Sequence, residues 1–282
     1  MRHENKSGML IRLILKNPIL KFLSGEIAVF LKRCGLLPKT YHNLANRWHG
    51  SRCFRKAKLQ WSPNGYWELN PMPNQDELMQ FYSNTFQASE YWDFKEKIIS
   101  ANLRDFDHTK LLKESYPDDI KDTSFLNFGS GAGGISFILH LMGAEVTNVE
   151  PSVMTNFGWK HYYDLSEVNG TFDIIYSSHS LEHVTSVEAT MAKFDSLMHI
   201  GSYLFIEVPN CRQSNCDRPE NGGQDGKIYS PHTIYFTLDF FKSLPYQKLI
   251  LATYNGGVGE ETIPTVAKHE DGNVIRYIGK KN

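Results

Sequence analysis

The apolar positions of this chain fall in short runs between glycine-rich and polar turns, and the spacing inside the runs changes along the sequence. Ser124–Phe128 is a short apolar run that stops at glycines, the pattern of a buried strand. Directly after it, Ile135, Ile138, Leu139 and Met142 recur at three- and four-residue spacing, which predicts a helix from about Gly133 to Met142 with Gly143 placed to end it. Glu145–Val149 reads as the next strand and runs into Glu150. Lys160–Tyr163 has the pattern of a short third strand. Phe172–Val184 reads as an apolar strand, a small polar turn and the start of a helix; Ser202–Asn210 reads as a second buried strand. Pro231–Thr237 leads into a helical pattern over Leu238–Leu244, and Leu249–Tyr254 and Val274–Ile278 are two terminal strands joined by a long connection over Gly256–Gly272. Strands alternating with helical patterns in this way predict an α/β sheet with helices on both faces.

The first sixty residues differ from the rest. They hold 13 Lys and Arg against 2 acids, which leaves 17 against 29 for the other 222 of the 282 residues. A formal net charge of −1 therefore conceals a basic beginning and an acidic remainder. Asn17 and Pro18 read as a helix cap and first-turn residue, and Gly35 as the stop. Between them Ile19, Leu20, Leu23, Ile27, Phe30, Leu31 and Cys34 share one helical face. No window reaches the roughly 18 uncharged apolar residues of a membrane span, and no small-residue cleavage site follows an apolar core. The segment is expected to pack on the main domain or a second subunit, as in a homodimer, or to contact an anionic membrane surface through residues 9–34. Nucleic acid is not expected, because the acidic remainder would repel a phosphate backbone. The domain expectation is 1–60 a basic amphipathic helical extension, 61–100 a lead-in and lid helix, and 101–282 the main domain.

The chemistry concentrates at the glycine turn. Gly129, Gly131 and Gly133 can take backbone angles that a Cβ forbids, so the turn can approach a ligand and present amide N–H groups to it. Glu150 follows Gly129 at about the separation where a carboxylate accepts from the two hydroxyls of a ribose. Gly129, Gly131 and Gly134 also spell the dinucleotide pattern GxGxxG, which leaves a nicotinamide-dependent oxidoreductase or epimerase open. Against that reading, no YxxxK pair follows; Tyr163 is followed four positions later by Glu167.

Four blocks in order, the glycine turn with Glu150, FDIIYSSHSLEHV, SYLFIEVPN and PHTIYFT, resemble the class I S-adenosylmethionine-dependent methyltransferases, in their bacterial small-molecule and sugar-pathway branch. The resemblance covers roughly Asn70 to the C-terminus. It implies a Rossmann-like, seven-stranded, mostly parallel sheet with the final strand inserted antiparallel, and S-adenosylmethionine as cofactor. Residue by residue it implies that Gly129, Gly131 and Gly133 face the amino-acid part of the cofactor, that Glu150 binds the ribose, and that Ser178 and His179 line the pocket beside the sulfonium and adenosine. Asn127 stands where the family usually carries an acid; its amide could accept from the cofactor's ammonium. Only 21 residues, Pro151–Thr171, separate Glu150 from the next strand, fewer than the family normally uses. Asp164 would fall near the adenine-contacting acid, with Trp159 or Phe157 as alternatives. Asn127 and this short segment keep a catalytically inactive scaffold open. The string Trp67–Phe86 resembles the lead-in of such enzymes, whose helix over the cofactor mouth makes Tyr82 or Tyr91 a candidate contact.

Methyl transfer from a sulfonium is an in-line displacement, and a base is needed only where the acceptor must lose a proton. Histidine suits that role. His179, His183 and His232 all fall at or after strand carboxyl ends, where an open α/β sheet builds its site. His232 is the favoured base or acceptor-binding residue, His179 the second candidate, and His183 is expected to be structural. The polar loop Cys211–Ser230 reads as a substrate lid or a disordered segment, with Arg212 and Arg218 suited to a substrate phosphate or carboxylate. Cys34, Cys53, Cys211 and Cys216 lack the paired knuckles of a zinc site and a disulfide framework, so no metal is expected and the thiols are expected to be reduced in the cytoplasm. The acceptor is expected to be a small molecule, a sugar or a lipid-linked glycan intermediate, and the location cytoplasmic, with peripheral contact at the inner face of a membrane as an open alternative.

Overall fold

A computed structural model describes residues 57–79, 95–151, 159–211, 232–255, 265–267, 270 and 272–282. The apolar face of residues 19–34, the membrane contact expected for 9–34, and Tyr82, Tyr91, Phe157, Arg212 and Arg218 lie outside the described residues, as does most of the 211–230 loop. Among the described residues no helix is long and apolar enough to cross a membrane.

The strands in chain order are β1 (Lys58–Ser62), β2 (Tyr66–Asn70), β3 (Ser124–Phe128), β4 (Glu145–Val149), β5 (Lys160–Tyr162), β6 (Phe172–Ser178), β7 (Met198–Pro209), β8 (Ile234–Phe236), β9 (Gln247–Asn255), β10 (Thr265–Val266) and β11 (Val274–Lys280). The helices are α1 (Lys95–Ser115), α2 (Gly134–Leu141), α3 (Val187–Ser196) and α4 (Leu238–Ser243), with one-turn 3₁₀ helices over Leu165–Glu167 and Leu181–His183. The main sheet runs β10-β9-β11-β7-β6-β3-β4-β5. Strands β5, β4, β3, β6 and β7 are parallel neighbours, and β11 lies antiparallel between β7 and β9. The sheet thus has eight strands among the described residues rather than the expected seven; the extra one, β10, is a two-residue edge strand in the 256–272 connection, too short to carry a sequence pattern.

Alternation along the central strands explains why helices cover both faces. Phe125, Ile174, Tyr176, Tyr203, Phe205 and Ile278 point to one side, where they pack with Leu112 of α1 and with Ile135 and Leu139 of α2. Leu126, Ile175, Leu204, Ile206, Val208 and Ile275 point to the other and pack with Phe194 of α3 and with Phe240 and Phe241 of α4. Strands buried on both faces read as continuous apolar runs, which is how β3, β6 and β7 look in the sequence.

Two elements differ from expectation. The histidine-bearing segment after β6 is a single 3₁₀ turn, and the helix proper begins at Val187, where Ser186 Oγ accepts from the Ala189 amide as a cap. Residues 58–70 form an antiparallel hairpin whose second strand pairs with β8, giving a separate three-stranded sheet. Its turn contains Asn64 and Gly65, and Gly65 at φ +91° donates its amide to Ser62 O at 3.1 Å. Position 60 lies within this hairpin and position 100 within α1.

Candidate active site

The glycine turn is built as the sequence requires. Gly129, Gly131 and Gly133 have φ values of +70°, +51° and +76°, all left-handed. The amides of Gly129 and Ser130 both donate to Val149 O, at 2.8 and 3.2 Å, which pins the turn to the end of β4. The glycines answer to different neighbours. A Cβ on Gly129 would lie 1.9 Å from Ser180 Oγ, whereas a Cβ on Gly131 would meet nothing within 4 Å. Gly129 therefore lets the turn after β6 approach, and Gly131 leaves an open side. Across that opening the Gly131 amide donates to Glu150 Oε2 at 2.9 Å, so the acid ending β4 already faces the turn. Amides, an open glycine and a carboxylate at this place fit a cofactor with an amino-acid tail and a ribose.

Gly134 makes room for a residue that the sequence did not flag. A Cβ there would fall 1.9 Å from Asp105 Oδ2 on α1. Asp105 is buried, and burial pushes its carboxyl up to about 6; Glu207 adds to the rise and the Arg104 guanidinium opposes it. Asn127, by contrast, is only 2% exposed. Its Nδ2 donates to Ser136 Oγ at 2.9 Å, and Ser136 in turn donates to Asn148 Oδ1 at 2.7 Å. The amide N–H thus ties β3 to α2 and β4 beneath the turn.

The second half of the site follows β6. Ser180 Oγ lies within hydrogen-bond reach of Gly129 O (3.2 Å) and Ser178 O (3.1 Å), which sets the 179–183 segment against the glycine turn. His179 takes φ +52°, uncommon for a side-chain-bearing residue, and its amide donates to Glu207 O at 2.8 Å. The Thr233 amide donates to Glu182 O at 2.9 Å and clamps His232 beside this turn, although about fifty residues separate them in sequence. Glu182 is 1% exposed, with His179 Nδ1 at 3.5 Å, His183 Nε2 at 3.8 Å and His232 Nε2 at 3.9 Å from its Oε1. The rings of His183 and His232 meet edge to face at 4.8 Å.

Protonation divides these histidines. Against the cost of burial, the nearby carboxylates of Glu182 and Glu207 raise His179 to about 9, so at neutral pH it is a cation between them. Burial and the charge near His183 push His232 down to about 3, so it is a neutral imidazole and a weak proton acceptor. Burial alone would raise Glu182, but the imidazoles hold it at about 2.

Glu207 links this cluster to the core. Its Oε1 lies 3.4 Å from His179 Nε2 and 3.5 Å from Ser178 Oγ, and its Oε2 accepts from Arg276 Nε at 2.7 Å. Oε2 is also 3.0 Å from His108 Nε2, while His108 Nδ1 lies 2.7 Å from the Tyr176 hydroxyl. Burial lowers His108 and raises Tyr176, so a neutral ring stands beside a protonated phenol, with its Nε2 3.0 Å from both Glu207 Oε2 and Arg276 Nη2. Arg276 completes the set with Asp107 at 2.9 Å and the Tyr254 ring at 4.2 Å. Asp164 accepts from the Ser166 amide as a 3₁₀ cap, and Trp159 is packed in the core.

The structure therefore brings Gly129, Gly131, Gly133, Glu150, Ser178, His179 and His232 to one end of the parallel sheet; Tyr82 lies outside the described residues. Sequence reading missed Glu182, Glu207, Asp105 and Arg276. Two signals were available: a carboxylate inside the apolar strand SYLFIEVPN, and the HxxEH spacing of His179, Glu182 and His183.

Fold and glycine turn together define a Rossmann-like α/β protein with its candidate site at the carboxyl ends of the parallel strands. The methyltransferase domain family matches residues 97–244, just over half of the 282 residues, and the chain belongs to that family. None of the curated proteins matches the chain. Among solved structures, an S-adenosylmethionine-dependent methyltransferase from Thermotoga maritima is similar with a TM-score of 0.53 and 15% identity, over 73% of this chain and 100% of that one. Magnesium protoporphyrin IX methyltransferase from Synechocystis PCC 6803, with bound S-adenosylhomocysteine, gives 0.51 and 11%, over 74% and 100%. The 1,6-didemethyltoxoflavin-N1-methyltransferase of Burkholderia thailandensis, also with S-adenosylhomocysteine, gives 0.50 and 12%, over 80% and 100%. At these identities the likeness is one of fold. S-adenosylmethionine would supply a methyl group on a sulfonium; Gly129, Gly131, Gly133 and Glu150 are the residues that would hold it.

Proposed function

We propose that this chain methylates a small polar acceptor, a free small molecule or a sugar or lipid-linked glycan intermediate, beside the glycine turn and the 179–183 segment. The observation that carries the reading is the placement of His179, Glu182, His183 and His232 beside the cofactor cradle, where polar and ionised groups face an acceptor rather than an apolar wall. His232 serves as a neutral, acceptor-binding imidazole; its depressed pKa makes it a poor general base. His179, protonated between Glu182 and Glu207 at 3.5 and 3.4 Å, supplies positive charge to the turn. In-line displacement needs alignment and exclusion of water more than proton transfer, and a buried, ion-paired turn provides a rigid wall for that. The basic segment 1–60 would bring the enzyme to an anionic surface carrying a lipid-linked acceptor.

The test is methyl transfer from labelled S-adenosylmethionine to a panel of sugars, nucleotide sugars, lipid-linked glycans and small phenols. Label in one acceptor class, with turnover lowered at least about tenfold by His232→Ala while S-adenosylhomocysteine affinity is kept, is the expected result. Unchanged turnover in that variant would remove His232 from the acceptor site. Equal flotation with anionic liposomes before and after deletion of residues 1–35 would end the membrane reading.

A further inference from the structure

We propose that Glu182, His183 and His232 form a binding site for one divalent transition-metal ion. Each offers a ligand atom, and the three atoms lie within 4.8 Å of one another. The carboxylate makes the cluster more than a chance meeting of polar residues. Glu182 is 1% exposed, and neither of its oxygens has a hydrogen-bond partner among the described residues. His179 Nδ1 at 3.5 Å supplies charge but is too far for a well-formed hydrogen bond. Buried carboxylates are ordinarily hydrogen-bonded or bound to a metal, and an ionised one without direct partners is costly.

The geometry needs little change to take an ion. Ligand atoms about 2.0–2.2 Å from a shared tetrahedral centre lie roughly 3.4 Å apart. Glu182 Oε1 is already 3.8 Å from His183 Nε2 and 3.9 Å from His232 Nε2, each about half an ångström from that separation. The Thr233 clamp on Glu182 O fixes the distant third ligand in place by backbone rather than by a flexible side chain. Cys211, the cysteine among the described residues, is not one of the three.

Two imidazoles and one carboxylate suit Mn²⁺, Fe²⁺, Co²⁺ or Zn²⁺ better than Mg²⁺ or Ca²⁺, which prefer oxygen ligands throughout. Three protein ligands leave further coordination positions open. What fills them rests on the methyltransferase reading: an acceptor that binds through oxygen, whose hydroxyl would release its proton to solvent more readily on the ion. Binding of the ion itself does not depend on that reading.

The test uses the full chain, freed of metal with a chelator and titrated with MnCl₂, followed by electron paramagnetic resonance, and with CoCl₂, followed by its visible absorption. S-adenosylhomocysteine is titrated by calorimetry into the same samples. The expected result is one ion per chain, bound more than about tenfold more weakly by both Glu182→Gln and His232→Ala, with S-adenosylhomocysteine still bound by both. Site loss in His232→Ala supports the site even if Glu182→Gln fails to fold, because His232 is only half-buried. S-adenosylhomocysteine binding without uptake of either ion, or uptake unchanged in the variants, would overturn the site. Ion uptake lost in the variants with no S-adenosylhomocysteine binding in the parent would keep the site and overturn the methyltransferase reading instead.

Discussion

The Gly131 amide donates to Glu150 Oε2 at 2.9 Å, so the acid that ends β4 and the turn that follows β3 form one half-site rather than two neighbouring features. A hydrogen bond to a charged group contributes about 1.5–3 kcal/mol, and the family resemblance implies that the same carboxylate binds the ribose. Glu150→Ala is expected to lower the melting temperature by several degrees and to weaken S-adenosylhomocysteine binding by about ten- to a hundredfold, read by a thermal melt beside calorimetry at a temperature where the variant is folded. Undiminished affinity would remove Glu150 from the cradle.

The neighbouring glycines are expected to fail in different ways. Gly129→Ala must place a Cβ 1.9 Å from Ser180 Oγ in a left-handed backbone, so the fold itself suffers. Gly131→Ala carries only the backbone cost of about 1–2 kcal/mol, because its Cβ meets open space. Gly129→Ala should therefore show the larger fall in melting temperature, and Gly131→Ala should remain folded while losing S-adenosylhomocysteine binding. A Gly131→Ala protein that binds normally would show that the open side of the turn does not face the cofactor.

Arg276 and Glu207 form a buried ion pair behind the histidine cluster, at 2.7 Å and each about 1% exposed. Removing one member leaves the other charge unpaired in the core, which typically costs about 3–5 kcal/mol. Arg276→Met is expected to lose that much in urea denaturation, and Glu207→Gln with Arg276→Met to lose less than the two single changes summed. Additive losses would mean that the two side chains are not coupled.

Asp105 gives a pH dependence with a definite sign. Its folded pKa of about 6 lies above the ordinary 3.8, so the folded chain retains a proton that the unfolded chain releases. Its ionisation therefore costs stability above pH 6, and that cost is relieved as pH falls from about 6 towards 4. The difference of about two units sets a ceiling of roughly 3 kcal/mol. The charged groups acting on it are Arg104 and Glu207, and Glu207 titrates well below this window. Asp105→Asn should flatten the stability profile between pH 7 and 4.5; an unchanged slope would assign it to other groups.

The cofactor half of the site was legible because local rules write it: glycines at left-handed positions, a strand that stops at them, and a carboxylate at the next strand end. The chain order of strands was legible for the same reason, down to the short β5 at Lys160–Tyr162. The hairpin at 58–70 falls across the expected boundary between extension and lead-in, although Asn64 and Gly65 between aromatic residues carry a turn signal; what hid it was its partner, β8, some 165 residues away. The acceptor half was hidden by distance of the same kind. Arg276 meets Glu207 because β11 runs antiparallel beside β7, His108 joins them from a helix, and His232 reaches Glu182 through a loop return held by Thr233. None of these pairings has a sequence period. Glu182 showed only as one letter at the start of an expected helix, with nothing local to mark it as the centre of a histidine cluster.

The most direct measurement is calorimetric titration of the full chain with S-adenosylmethionine, S-adenosylhomocysteine and NAD under one set of conditions. One molecule of each sulfur compound bound per chain, with no heat from NAD, is expected from the glycine turn and Glu150. Binding of NAD without either sulfur compound would contradict it.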